Sequence, residues 1–249
     1  MILTSQESPR TRDFTNLQSL LSARKLDGSL ARLRPSPSDR VAETGLTTLD
    51  ASLGGGLPYG HLSEIVGPRS SGRMSVLCAV LAAATRRGEV VALVDTFDSF
   101  DPVSGQAAGI ELSQLLWIRG RQGAPRELPH VIARAIKATE LVLQAGGFGV
   151  VVMDLGEAPE SAIQRLPFTT WLRLARVIEG RETVGVVVGP VAMARSPAGR
   201  SVVLESRGSS AQWTGRLFRG LGISAEVRSA RFPATTLQLN AEEIGLTRE

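Results

Sequence analysis

A glycine-framed loop is the first stretch whose residue types could do chemistry. Gly67 and Gly72 enclose four residues, after an apolar run and before a segment with helical spacing. This is the frame G-x-x-x-x-G-K-[ST] of a phosphate-binding loop, whose backbone N–H groups bind phosphate oxygens at the start of a helix. A later apolar run ends in an aspartate, a residue type that orients Mg²⁺ in such sites. We therefore predict a phosphate site made of Gly67, Ser70, Ser71, Gly72, Arg73 and Asp154.

The two side chains that carry the chemistry of this frame are both replaced. Arg73 stands where the lysine belongs, and its planar fork differs in shape from a compact ammonium. Met74 stands where a Ser or Thr hydroxyl would ligate Mg²⁺, and a thioether does not hold a hard cation. Ser75 follows about 100° further around the helix, so it is a poor substitute. We predict a vestigial phosphate site that uses no ATP, no Mg²⁺ and no other cofactor or metal. A purely structural glycine turn is the other interpretation of the loop.

The elements that must position this loop alternate along the chain. Apolar, β-branched runs cover residues 65–66, 90–94, 150–153 and 184–188. Segments with helical spacing cover 74–87, 131–144 and 161–179. Apolar strands joined by helices predict an α/β fold with a mostly parallel sheet flanked by helices. After Pro190 the strand patterns follow one another without long helices, which predicts antiparallel strands at the C-terminal end.

Composition divides the 249-residue chain into three parts. They are an N-terminal helical arm with its linker at 1–40, a core at 41–240 and an acidic tail at 241–249. The net charge of +4 is also unevenly placed. Residues 1–40 carry +3 and residues 195–231 carry +5, whereas residues 41–194 and residues 232–249 carry −2 each. The positive excess therefore lies outside the segment that contains the glycine loop.

The arm carries a short amphipathic helix. Thr15 and Gln18 have the spacing of a capping box, and the leucines that follow share one face. That face either packs on the chain's own core or binds a neighbouring subunit or partner, and the pattern favours neither. The partner-binding candidates are Leu17, Leu20 and Leu21.

Several classes of protein are excluded by composition. Cys78 is the single cysteine, so a disulfide scaffold and a multi-cysteine zinc site are both ruled out. The sequence has no apolar stretch of about 18 residues and no secretory signal pattern at its start. We expect a cytoplasmic protein that makes no membrane contact.

The glycine loop lies within a longer pattern that resembles the RecA recombinase core. The matching residues include Thr44-Gly45-Leu46, Leu53 to Pro58, Glu64-Ile65, Gly67-Pro68 and Val94-Asp95. The resemblance covers roughly residues 41–190 and implies a RecA-like fold with a degenerate phosphate loop.

The sequence departs from the RecA pattern at two further catalytic positions. The glutamate that activates water in RecA is replaced by Phe97, and neither Asp98 nor Asp101 occupies its place. The glutamine that ends a later core strand is also absent, because that strand ends Val188-Gly189-Pro190. Together with Arg73 and Met74, these changes predict a protein that is not an ATPase.

A RecA-like core with these losses, a short arm and an Arg-rich end resembles the ImuA group of RecA-like accessory proteins. This resemblance implies a non-catalytic role in DNA damage-induced translesion synthesis, within the SOS response. The implied partners are an ImuB-type inactive polymerase relative and RecA, and the implied location is the nucleoid, when the protein is recruited to damaged DNA. Two other hypotheses stay open: a DNA-dependent ATPase with substituted catalytic residues, and a division-inhibitor-like modulator of RecA.

The basic segment after residue 190 is the candidate DNA contact. In RecA the corresponding strand leads into a mobile DNA-binding loop, and here small and polar residues surround two arginines. We predict weak binding of single-stranded DNA through Arg195, Arg200 and Arg207. A solvated surface or a protein-facing patch is the other interpretation. Trp213 lies in the same segment and either packs in the core or stacks on a base.

Overall fold

The computed structural model describes residues 40–121, 124–194, 196, 198–214, 216–228 and 234–239. Of residues 125, 206–212, 214 and 217–221 it describes the backbone alone. The predictions for Leu17, Leu20 and Leu21, for Arg195 and for the tail at 241–249 lie outside the described residues.

Ten strands and six helices form the described part of the chain. The strands are β1 (Val41–Ala42), β2 (Leu57–Pro58), β3 (Leu62–Val66), β4 (Val91–Asp95), β5 (Leu115–Arg119), β6 (Val150–Asp154), β7 (Val184–Gly189), β8 (Ser201–Thr214), β9 (Leu217–Arg228) and β10 (Thr235–Leu239). The helices are α1 (Thr47–Leu53), α2 (Arg73–Arg86), α3 (Pro102–Ala107), α4 (Leu128–Ala145), α5 (Glu160–Gln164) and α6 (Phe168–Ile178).

Eight of these strands form one sheet in the order β10-β9-β8-β3-β7-β6-β4-β5. The run from β8 to β5 is parallel throughout, and β9 and β10 add antiparallel strands at one edge. β1 and β2 form a separate two-stranded sheet. The predicted α/β fold, with its mostly parallel sheet and antiparallel C-terminal strands, is confirmed.

The central strands are buried because both faces of the sheet are covered. Alternate residues of a strand point to opposite faces, so each strand supplies two separate cores. In β4, Leu93 packs in the cluster that includes Leu77 and Leu81 of α2. Its neighbour Val94 packs in the other cluster, with residues of α4 and α6. This three-layer arrangement fixes the carboxyl ends of the parallel strands at one edge of the sheet.

Three details of the predicted elements were wrong. The segment 161–179 is two helices, because Pro167 ends the first pattern and starts α6. The edge strand β5 was missed: its Leu-Leu-Trp-Ile-Arg run has one β-branched residue and an exposed Leu116. The first strand after Pro190, β8, pairs parallel with β3, although it pairs antiparallel with β9.

Within the described residues, no helix is long and apolar enough to span a membrane.

Candidate functional site: a cleft at the carboxyl edge of the sheet

The predicted phosphate residues meet at the carboxyl ends of the parallel strands. Asp95 ends β4 directly opposite Asp154 at the end of β6, and Val66 ends β3 opposite Gly189 of β7. Between these ends and the start of α2 lies a cleft of about 460 Å³. Residues that line it include Ser70, Ser71, Arg73, Met74, Asp154 and Ile223.

The glycine loop is held by backbone contacts and by a close neighbour. The N–H of Gly67 donates to the carbonyl of Gly189 at 3.1 Å, which ties the loop to the end of β7. Gly72 precedes α2 with φ at +91°, a conformation that strongly favours glycine. A Cβ at Gly72 would lie 2.1 Å from the Cδ1 atom of Ile223. Glycine is therefore required at residue 72 for both conformation and space.

Two side chains at the end of the loop are buried and polar. Ser71 is 3% exposed and Arg73 is 7% exposed. Among the described residues, the Ser71 Oγ and the Arg73 Nη1 make no hydrogen bond. Burial lowers the pKa of the Arg73 guanidinium, and the charges of Asp154 and Glu157 act in the opposite direction. The loop therefore keeps two donors that could meet an oxyanion.

Asp154 is a buried carboxylate. It accepts the N–H of Gly156 at 2.7 Å and the hydroxyl of Ser99 at 3.4 Å. Burial raises the pKa of Asp154 to about 6, and the charge of Asp95 adds to this while Arg73 opposes it. The cationic group that lowers the pKa of Asp154 is thus the guanidinium of Arg73.

Asp95 performs a structural task beside the cleft. Its carboxylate accepts the backbone N–H groups of Ser99 and Phe100, at 2.9 and 3.0 Å, and the indole N–H of Trp117 at 3.1 Å. These bonds fix the turn after β4. The hydroxyl of Ser99, which the sequence did not single out, also lies 3.3 Å from an oxygen of Asp95, so its one proton is shared between the two aspartates.

Phe97 and two aspartates that follow β4 each make contacts that support the fold. Phe97 is buried in the core on the α4 face of the sheet. Asp98 forms a two-bond pair with Arg119 at 2.8 and 2.9 Å. Asp101 accepts the N–H groups of Val103 and Ser104 and caps α3. Met74 lines the cleft, and its thioether is not a ligand for Mg²⁺, although Ser75, Asp154 and Glu157 line the same cleft.

The segment that follows β7 is bonded to the core. The buried carboxylate of Glu64 accepts the N–H groups of Met193 and Ala194 at 2.7 and 2.8 Å. Its other oxygen accepts the hydroxyl of Ser201 at 2.7 Å. A Cβ at Gly199 would lie 2.0 Å from the carbonyl oxygen of Leu62, so the backbones are closely packed there.

The prediction that Arg200 contacts DNA was wrong. Arg200 is only 5% exposed. Its guanidinium donates to the carbonyls of Leu53 and Ala198 at 3.3 and 3.2 Å. These bonds direct the guanidinium of Arg200 to backbone acceptors inside the fold. Arg207 lies on β8, but its side chain is outside the described part, so that prediction stays untested.

A glycine loop between a strand and a helix, with aspartates ending two neighbouring strands, is the frame of a P-loop fold. The family model for the RecA N-terminal domain matches residues 24–163, which is more than half of the chain. The chain therefore belongs to the RecA N-terminal domain family.

Curated relatives agree with this assignment. RecA from Symbiobacterium thermophilum is 38% identical over 131 residues, which cover 51% of this chain and 35% of that protein. RecA from Thermus thermophilus is 34% identical over 130 residues, covering 51% and 36% respectively. RecA from Methylococcus capsulatus is 36% identical over 115 residues, covering 46% and 30%. The matched region spans about a third of the length of these relatives.

Proposed function

We propose that this chain is a non-catalytic RecA-family accessory protein in DNA damage-induced translesion synthesis. It acts through contacts with an ImuB-type polymerase relative and with RecA. The cleft keeps the shape of a phosphate loop, while its own residues take the places of the reactive groups. This proposal extends the RecA-family relationship to a specific role, and the resemblance to the ImuA group is what suggests that role.

The burial of Arg73 and Asp154, with their electrostatic interaction, is the observation that supports a non-catalytic role. In a working site of this class, Mg²⁺ and a hydroxyl ligand neutralise the phosphate charge beside the aspartate. Here a buried guanidinium lies in the electrostatic surroundings of Asp154, and a methionine lines the cleft where the hydroxyl belongs. Phe97 adds an apolar side chain at the position of the water-activating carboxylate. These features support a scaffold and oppose a hydrolase.

Affinity purification from damaged cells tests the role. The full chain and a form that lacks residues 1–38 are each tagged, and co-purifying proteins are identified by mass spectrometry before and after DNA damage. We expect the full chain to recover a Y-family polymerase relative and RecA after damage. Recovery of a division protein, or of RecA alone, would contradict the translesion role and support the modulator hypothesis. Loss of RecA from the shortened form alone would assign that contact to the arm.

A second candidate is a DNA-dependent ATPase, and one observation favours it. The unpartnered Ser71 Oγ and Arg73 Nη1 are donors that a phosphate could use. We expect no DNA-stimulated release of phosphate from Mg-ATP by the wild-type chain. The matched control is Asp154→Asn, since any activity that belongs to this cleft needs the aspartate. Turnover in the wild type that disappears in the Asn variant would overturn the non-catalytic proposal.

A further inference from the structure

Helix α6 exposes two large apolar side chains on one side. Phe168 is 52% exposed and Leu172 is 37% exposed. They are four residues apart, so they lie next to each other on the same face of the helix. The core is supplied by other residues of α6, namely Trp171, Leu174 and Ile178. Phe168 and Leu172 are therefore left for contacts outside the core.

A cavity of about 280 Å³ lies beside Phe168 at the start of α6. Among the residues that line it are Ile163, Trp171 and Met193, which are each only 3–4% exposed. Gln164 is the one polar residue among the described residues that line this cavity. An apolar side chain that enters the cavity leaves water and contacts mainly apolar side chains.

The surface around the exposed pair is positively charged. Residues 161–178 include Arg165, Arg173 and Arg176, all exposed, and contain no acidic residue. Arg173 lies 3.6 Å from Glu140 of α4. In the part of the chain that the structure describes, no ion pair includes either of the other two arginines. An apolar centre with a cationic border is complementary to an apolar segment with acidic flanks.

We propose that this face docks an acidic amphipathic helix of a protein partner. The α6 surface, as we call it, consists of Phe168, Leu172, the three arginines and the adjoining cavity. One apolar side chain of the partner enters the cavity, and another packs on the exposed pair, while carboxylates beside them meet the guanidinium groups. Amphipathic helices bind grooves in this way, through apolar residues at i, i+3 or i+4 and i+7.

The side chains of this surface favour a protein over a nucleic acid. Binding of a single strand depends on aromatic faces that stack on successive bases, together with phosphate contacts. Here Phe168 is accompanied by an aliphatic neighbour, Leu172, and by a cavity that accepts a side chain. The α6 surface shares no residue with the cleft of the glycine loop. It also does not depend on the identity of the translesion partners, so either proposal can fail alone.

Fluorescence anisotropy of a labelled peptide with the full chain tests the α6 surface. The peptide has about 18 residues, with leucines on one helical face and glutamates and alanines elsewhere. We expect saturable binding that weakens as the salt concentration rises. A peptide of the same composition, with the leucines scattered around the helix, should bind at least about 10-fold more weakly. No binding of the one-sided peptide, or equal binding of both peptides, would overturn the proposal.

A pair of apolar variants locates the contact. Phe168→Ala removes the largest exposed side chain of the surface and should weaken binding about 10-fold to 30-fold. Val103→Ala is the matched control, because Val103 is 75% exposed on α3 and should leave the affinity unchanged. Equal affinities of the two variants would contradict docking at α6. Circular dichroism melting of each variant checks that a loss of binding is not a loss of folding.

Charge variants separate a docking surface from general attraction between opposite charges. Arg165→Gln and Arg176→Gln should each weaken binding of the peptide about 2-fold to 5-fold at low salt. Arg121→Gln removes an exposed charge after the edge strand β5 and should have no effect. An equal loss in all three variants would contradict a defined surface.

A competitor identifies the class of partner. An unlabelled oligothymidylate of about 18 nucleotides should displace the peptide poorly, because its phosphates lack the apolar anchor. If the oligonucleotide displaces the peptide and itself binds more weakly to Phe168→Ala, the α6 surface binds nucleic acid and the protein-partner proposal is wrong.

Discussion

The cleft edge and the outer half of the β8–β9 hairpin, residues 206–222, which we call the finger, differ in how far their functional side chains are buried. In the cleft, Arg73 and Asp154 are buried and interact with each other, and nearby Glu64 holds the segment after β7. In the finger, Trp213 and Arg216 are exposed, and the segment has no acidic residue. The buried pair Arg73 and Asp154 thus faces the interior, whereas Arg69 of the same loop is exposed. The finger presents the ring of Trp213 and the charge of Arg216 to solvent.

Glu64→Ala has the largest expected effect and tests whether the cleft edge is rigidly held. The variant leaves the N–H groups of Met193 and Ala194 and the hydroxyl of Ser201 without their acceptor. We expect the free energy of unfolding to fall by about 4 kcal/mol, because each buried unsatisfied group is costly. Urea denaturation measures it. Glu64→Gln keeps one acceptor oxygen and should lose less; equal losses would contradict the role of the three bonds.

Gly72→Ala comes next and tests the packing of the loop against the antiparallel strands. A Cβ would meet the Cδ1 of Ile223, and the backbone has positive φ. We expect a loss of about 3 kcal/mol in the free energy of unfolding, from strain and overpacking together. Gly88 offers a matched control, since it has φ of +79° and nothing within 4 Å of a built Cβ. Gly88→Ala should therefore cost only the conformational part, about 1 kcal/mol.

A double variant checks the cause of the Gly72 effect. Ile223→Val removes the Cδ1 methyl that lies closest to the added Cβ. Combined with Gly72→Ala, it should therefore cost less than the sum of the two single changes. Simple additivity would show that the clash with Ile223 is not the source of the loss.

Asp154→Asn should change how stability depends on pH. Burial gives this carboxyl a pKa of about 6 in the folded protein, above the value near 4 expected when unfolded. The folded state therefore binds the proton more tightly, and the stability from this group, about 2–3 kcal/mol, is lost as the pH rises from about 4 to about 7. The Asn variant should lack this loss, and urea denaturation across that pH range measures it.

Asp98→Asn is the control of opposite sign. Its hydrogen bonds with Arg119 lower the pKa of Asp98, so its contribution is lost as the pH falls. If both variants changed the pH dependence in the same direction, the burial of Asp154 would not be its cause.

The finger gives the smallest expected effect on stability. Trp213→Ala and Arg216→Gln remove exposed groups, so each should change the free energy of unfolding by less than about 0.5 kcal/mol. A loss of more than about 1 kcal/mol in either variant would mean that the residue supports the fold. The contrast between the two regions would then disappear.

The sequence predicted the sheet and the cleft better than it predicted which arginines of the basic segment are exposed. Apolar runs placed β4, β6 and β7 within about a residue of their bounds, because strands covered on both faces must be apolar throughout. Asp154 was expected beside the loop at residues 67–73 because the carboxyl ends of parallel strands meet at one edge of the sheet. β5 was missed because an edge strand with one neighbour is under weaker compositional constraint. Arg200 was assigned to a DNA contact because the sequence alone does not distinguish an arginine that bonds to buried carbonyls from one that faces solvent.

By itself the sequence determined the frame of the fold and which residue types stand in the glycine loop and after β4. Period and spacing are local properties, and Met74 or Phe97 lacks a hydroxyl or carboxylate in any conformation. Only the tertiary structure decided which charges are available, because burial and partners come from residues distant in the chain. Glu64 meets Met193 and Ala194 across the sheet, and Ile223 closes over Gly72. For the same reason, Trp213 could be recognised as exposed only once the limits of strand pairing around the finger were known.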